Sequence, residues 1–137
     1  MNKKIIFLKG LPASGKSTWA KEFVDNNPNW LRVNKDDLRL MMHNGKWSNG
    51  NEKQVLVVRD AAIRSALDQG YNVIVDDTNF APRHNDIKKI AAEHKAEVEE
   101  KYFDVPLEEC LIRNQNRLNK VPDEVIKSMY NKYIKQN

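Results

Sequence analysis

Apolar residues along this chain fall into short runs and spaced stripes that alternate with polar loops. Lys3 to Lys9 brackets Ile5-Ile6-Phe7-Leu8, a β-branched and aromatic run typical of a buried strand. Gly10 to Gly15 reads as a loop, and Ser17 to Asp25 as a short helix ended by Asn26-Asn27-Pro28. Trp30 to Val33 predicts a second strand and Asp36 through Met42 a short helix. His43 to Asn51, polar and holding Gly45 and Gly50, predicts an exposed loop. Glu52 to Gln69 predicts a long helix with Leu56, Ala62, Ile63, Ala66 and Leu67 on one stripe and Gly70 as its stop. Tyr71 to Val75 is strand-like and runs into Asp76-Asp77-Thr78-Asn79. Arg83 to His94 should be helical and Val98 to Phe103 a further strand. Pro106 suits the first turn of a helix reaching about Asn116, with Asp104 as its candidate cap. Pro122 opens a final helix whose seam is Val125, Ile126, Met129, Tyr130, Tyr133 and Ile134.

Strand, loop and helix in repetition predict an α/β fold: a parallel sheet with right-handed crossovers and helices on both faces. The 137 residues contain no linker, so one domain over residues 1–137 is expected. In such sheets ligands bind at the carboxyl ends of the strands. Gly10–Ser17, Asn34–Arg39 and Asp76–Asn79 are therefore candidates for one shared site.

Charge and composition narrow the class. The net charge is +4, and the segment from Arg113 to Asn137, with six basic and two acidic residues, carries an excess of that same size. A basic end suits a polyanionic ligand such as a nucleotide or nucleic acid, and equally reads as a solvated helix face. The longest apolar run is too short to cross a bilayer or to serve as a signal peptide, so a cytoplasmic, membrane-free protein is expected. Cys110 alone excludes an intrachain disulfide and a cysteine-based zinc site. It reads as a small residue inside a helix.

Gly10-Leu11-Pro12-Ala13-Ser14-Gly15-Lys16-Ser17 matches the phosphate-loop pattern G-x-x-x-x-G-K-[ST], after an apolar strand and at a helix start. The glycines let backbone N–H groups curl around a phosphate, and the helix N-terminus adds partial positive charge. Lys16 can reach the β- and γ-phosphates of ATP or another NTP, and the Ser17 hydroxyl can ligate Mg²⁺. Thr18 closes the expected nucleotide-binding stretch and reads foremost as a helix residue.

Several phosphate-loop classes are possible. Asn34-Lys35-Asp36-Asp37 has the letters of the guanine-reading N-K-x-D but lies 17 residues past the phosphate loop, too early in the fold to meet a base. A motor or AAA-type ATPase is expected to need more chain. A small kinase uses the same residues better. Asp36 can accept the proton of an attacking hydroxyl, or else cap its helix. Arg39, three residues on, can hold an acceptor phosphate. The Asp76-Asp77 end of the third strand can support Mg²⁺ through water, anchor an acceptor-side arginine, or cap a turn. Arg113, Arg117 and Lys120 suit a lid over residues 113–122 that stabilises charge on the transferring group.

These strings, together with Phe103-Asp104-Val105-Pro106 and Val121 to Tyr130, resemble the kinase domain of bacteriophage polynucleotide kinases over nearly the whole chain. The resemblance implies transfer of the γ-phosphate of ATP to a 5′-hydroxyl end of DNA or RNA. It implies Lys16 and Ser17 at the donor phosphates, Asp36 as general base, and Arg39 on the acceptor phosphate. Asp77, with Thr78 and Asn79, would serve the acceptor side, and Arg117, with Arg113, the lid. The aspartate-nucleophile string of the family's phosphatase is not matched by Asp76-Asp77-Thr78, so no phosphatase activity is expected. Leu40 to Glu52 matches nothing in the family. Trp47 either stacks on a base or packs against the domain; Trp19 and Trp30 read as core. No role is assigned to His43, His84 or His94. A small-metabolite or nucleoside kinase and an ATP-gated nucleic-acid binder are the alternatives.

Overall fold

The computed structural model describes residues 2–80, 84–118 and 120–135. Strands β1 (Lys4–Lys9), β2 (Trp30–Val33), β3 (Asn72–Val75) and β4 (Glu97–Tyr102) pair in the order β2-β3-β1-β4, every pair parallel. Helices α1 (Lys16–Asn26), α2 (Lys35–His43), α3 (Asn49–Asp68), α4 (His84–Glu93), α5 (Leu107–Gln115) and α6 (Asp123–Met129) connect and follow them. The result is the expected α/β architecture.

β1 is apolar without alternation because both its faces are covered. Ile5 and Phe7 pack with Ile63 and Leu67 of α3 and Ile87 and Ile90 of α4. Ile6 and Leu8 turn the other way, to Ala20, Trp19 and Phe23 of α1. The connection after β1 thus enters a helix on one face, and the connection after the adjacent β3 leads to a helix on the other. Chains diverging from neighbouring strands leave a crevice at their carboxyl ends, where ligands of open parallel sheets bind.

Several boundaries move for identifiable reasons. α3 begins at Asn49, three residues before the expected start, because the Ser48 hydroxyl accepts the Asn51 N–H at 3.0 Å and caps it. The loop before it shrinks to residues 44–48 and turns on left-handed Asn44 and Gly45. The buried face of α3 is Val55, Arg59, Ile63, Ala66 and Leu67, so Val55 replaces the expected Leu56 and the stripe includes a charge. Asp104 does not cap α5; Pro106 holds that position and offers no side-chain acceptor. Arg83, expected to open α4, lies outside the described residues. The final helix stops at Met129 and continues as a π-helical turn over Tyr130–Ile134, closed by the Lys135 N–H on the Tyr130 carbonyl at 2.8 Å. Of its expected seam, Ile126 is buried against Leu11 and Cys110, while Val125 and Tyr133 stay exposed. No helix among the described residues is long and apolar enough to cross a membrane.

Candidate active site

The phosphate loop follows β1 directly. Gly10 has no room for a side chain, since a Cβ would lie 2.8 Å from Ser14 Oγ and 3.2 Å from the Phe103 carbonyl. Ala13 and Gly15 take left-handed backbone angles that curl the loop back toward α1. α1 starts at Lys16, so its first N–H groups face the loop. Lys16 is buried, and its Nζ donates to the carbonyls of Gly10 (3.0 Å) and Leu11 (2.8 Å) and to Ser14 Oγ (3.3 Å). Burial pulls its pKa down to about 8 despite the opposing charge of Asp76. A phosphate entering the loop would restore full charge to this ammonium. Leu11 and Ser14 are themselves buried and shape the loop from within.

Beside the loop, Ser17 Oγ donates to Asp76 Oδ2 at 2.8 Å, and Arg32 Nε donates to the same oxygen at 2.8 Å. The other oxygen, Asp76 Oδ1, is buried with no hydrogen-bond partner among the described residues. A hydroxyl and an unused carboxylate oxygen suit a hard cation such as Mg²⁺, which takes few protein ligands and completes its shell with phosphate and water. Among the described residues no cluster of three or more His, Cys, Asp or Glu could hold a metal unaided. Of the two carboxylates expected near Ser17, it is Asp76 that meets it.

The opposite wall is the start of α2. Its cap is Asn34, whose Oδ1 accepts the Asp37 N–H at 2.8 Å. Asp36 is therefore relieved of capping, is 74% exposed, and lines the cleft. Asp37 pairs instead with Arg32 at 2.7 Å. Arg39 does not present an empty fork. Its Nε and Nη2 each donate to Glu52 at 2.6 Å, and its Nη1 donates to Asp36 at 2.6 Å. The Glu52 contact holds the Arg39 pKa above the ordinary guanidinium range and its own below the ordinary carboxylate range.

Asp77 is buried. Its Oδ1 accepts the Lys35 N–H at 2.8 Å, and its Oδ2 lies 3.6 Å from Nη1 of Arg59, a guanidinium only 1% exposed. Burial pushes the Asp77 carboxyl above its usual range. Thr78 lines the cleft, and its carbonyl accepts the Gly10 N–H at 3.3 Å. Asn79, expected on the acceptor side, does not line the cleft. Its amide donates to the carbonyls of Leu8, Asp77 and Val75, fastening the turn after β3 to β1.

Arg113, Arg117 and Lys120 also line the cleft, Arg113 close to the phosphate loop, where its Nη1 would lie 3.7 Å from a Cβ on Gly15. α5 ends at Gln115, so Arg113 and Arg117 do not share a helix face as their spacing suggested. The turn that carries Arg117 is braced by buried Asn114, whose amide donates to the Val121 carbonyl (2.7 Å) and whose Oδ1 accepts the Val121 N–H (3.1 Å). The whole cleft measures about 1080 Å³, with room for two substrates side by side. Trp47 is 66% exposed and lines the cleft. Trp19 and Trp30 pack partly buried on the α1 face. His94 joins Asp68 at 2.9 Å on the surface.

Sequence reading missed Arg32, Glu52, Arg59 and Asn114. Two of them had a one-dimensional signal: Arg32 is a charge inside a four-residue strand, and Arg59 falls between Val55 and Ile63 on an apolar stripe. A charge in either place demands a buried partner. Nothing in the linear sequence joins Glu52 to Arg39.

Comparison with known proteins agrees with this geometry. A family model described as an AAA domain matches residues 5–135, so length was no ground for setting that label aside. The chain is 34% identical over 134 residues, 94% of its length, to an L-seryl-tRNA(Sec) kinase of Methanococcus maripaludis. It is 32% identical over 153 residues, 99% of its length, to a protein described as a bifunctional polynucleotide kinase/RNA ligase of Autographa californica nuclear polyhedrosis virus. It spans 52% of the first and 22% of the second. Among solved structures, a chain of the Pnkp1/Rnl/Hen1 RNA repair complex superposes with a TM-score of 0.84 at 31% identity, covering 96% of this chain and 44% of that one. The chain thus belongs to the AAA-domain family, as a P-loop kinase domain.

Proposed function

We propose that this chain, working as one domain over residues 1–137 in the cytoplasm, is a polynucleotide 5′-hydroxyl kinase that transfers the γ-phosphate of ATP to a DNA or RNA end. The observation that carries the reading is the placement of Asp36. It is free of capping, is exposed, and lines the same cleft as Lys16 and Ser17. In that position its carboxylate takes the proton of the sugar hydroxyl as the oxygen attacks the γ-phosphorus and ADP leaves. Lys16 and the backbone of the phosphate loop hold the donor phosphates. Ser17, with Asp76 beside it, would hold Mg²⁺, which would supply charge neutralisation for the phosphates. Arg117 and Arg113 cover the transferring group from the lid. Trp47, with Lys35 and Lys120 on the same cleft, supplies the stacking surface and positive charge that a single strand needs.

A second reading is favoured by one specific observation, the 34% identity to a seryl-tRNA(Sec) kinase. There the acceptor would be a serine hydroxyl carried on RNA. One experiment separates the two: γ-labelled ATP with 5′-OH DNA, 5′-OH RNA, seryl-tRNA and free nucleosides. Label on oligonucleotide 5′ ends is the expected result. Label confined to seryl-tRNA or to nucleosides overturns the first reading. Oligonucleotide retention without transfer would assign a binding module.

A further inference from the structure

Arg32 has no place in the chemistry described so far, and its surroundings are unusual. It is a half-hidden cation inside β2 that reaches three groups of the site at once. Its Nε donates to Asp76 Oδ2 at 2.8 Å, its Nη1 to Asp37 Oδ2 at 2.7 Å, and its Nη2 lies 3.5 Å from Ser17 Oγ. Ser17 Oγ is the atom that would ligate Mg²⁺, so the guanidinium stands one atom behind the metal position. It is not among the residues lining the cleft, and it does not meet the phosphates.

The charges at this corner cancel. Asp76 and Asp37 are the anions that Arg32 contacts, and Lys16 adds a second cation near Asp76. A dication approaching a neutral corner with one available carboxylate oxygen gains little Coulomb energy. The triphosphate tail brings the missing negative charge. We propose that Arg32 is an electrostatic brake: with Ser17 it occupies Asp76 Oδ2, leaves only Oδ1 without a partner, and makes the Ser17–Asp76 corner take its metal only together with a polyphosphate. The proposal rests on the phosphate-loop kinase reading of Ser17 but not on the identity of the acceptor.

The test uses the full chain and Mn²⁺ as the probe, read by the loss of the free-ion paramagnetic signal, with and without a non-hydrolysable ATP analogue. Without nucleotide the native chain should bind Mn²⁺ weakly. Arg32→Gln should tighten that binding by at least about tenfold, as a unit charge is removed within a few ångströms of a dication. Arg32→Lys should stay near the native value. Asp37→Asn, a change at an exposed carboxylate, leaves Arg32 less neutralised and should weaken Mn²⁺ binding severalfold in the nucleotide complex. Unchanged or weaker binding in Arg32→Gln overturns the brake, as does Arg32→Lys behaving like Arg32→Gln. Should Arg32→Gln fail to fold, an unmoved affinity in Asp37→Asn is equally decisive. If phosphate never reaches a polynucleotide end while these shifts occur, the acceptor assignment fails and the brake stands.

Discussion

Arg59 and Asp77 form a buried ion pair whose loss can be costed. Arg59 is 1% and Asp77 3% exposed, at 3.6 Å. Arg59→Met keeps most of the side-chain volume and removes the charge, leaving the buried Asp77 carboxylate with only Lys35 to balance it. Breaking a buried pair by removing one partner costs about 3–5 kcal/mol, and the long separation places this one near 3 kcal/mol. For a domain of this size each kcal/mol lowers Tm by about 4 °C, so a drop near 12 °C is expected. The pH dependence has a definite sign. Burial raises the folded pKa of Asp77 above the ordinary value of 3.8, so the folded chain holds this proton more tightly than the unfolded chain. The stabilisation from protonated Asp77 is complete below 3.8 and is lost as pH rises through the folded pKa. Arg59 offsets that loss. The penalty of Arg59→Met should therefore be larger at pH 7.5 than at pH 4.5 by urea denaturation. Adding Asp77→Asn should recover most of it at pH 7.5, since no buried charge then lacks a partner. A penalty under about 1 kcal/mol, or one that neither varies with pH nor is relieved in the double variant, would refute the pairing as the cause.

Three other outcomes follow from the site. Asp36→Asn should lower kcat by roughly 10²–10⁴ while fluorescent-nucleotide binding is retained, and an unchanged kcat would remove Asp36 as the base. Lys16, at about 8 in the nucleotide-free chain, should take up a proton when ATP binds above pH 8, seen by calorimetry in buffers of different ionisation enthalpy; the lowered pKa also makes this group's contribution to stability rise with pH between about 8 and 10.5. Gly10→Ala should cost about 1–3 kcal/mol and weaken nucleotide binding, because its Cβ would meet Ser14 Oγ and the Phe103 backbone; a crystal structure with the loop unmoved would contradict this.

The elements most legible in the sequence are those fixed by local chemistry. The run Ile5 to Leu8, buried on both faces, and the glycine-bearing phosphate loop are specified by a few adjacent residues. That Asp36 and Lys16 line one cleft follows from the rule that parallel strands present ligands at their carboxyl ends. What was not legible depends on contacts between distant segments. Arg39 was expected to face an acceptor phosphate, but Glu52, thirteen residues on, occupies its fork. Asn79 looked like an acceptor residue because of its neighbours, yet its amide is spent on main-chain carbonyls. Asp76 and Asp77 could not be ranked from adjacency, since strand alternation sends one to Ser17 and the other to Arg59.

The long helix α3 explains why the acceptor wall stands where it does. Glu52 and Arg59 are seven residues apart and so lie on one helix face, two turns from each other. Glu52 grips Arg39, and Arg39 grips Asp36. Arg59 steadies Asp77, which accepts the N–H of Lys35, the residue just before Asp36. Asp36 is thus reached from α3 by two routes, one through its side chain and one through its backbone. α2 has no fully buried residue, and besides these contacts it is held by its Asn34 cap and by Leu38 packed against the core. The same grip has a consequence for the acceptor. Arg39 offers a phosphate only the N–H groups that Glu52 and Asp36 leave over, and two carboxylates already share its charge. On the proposed reading, an acceptor phosphate reaching Arg39 would have to compete with both carboxylates.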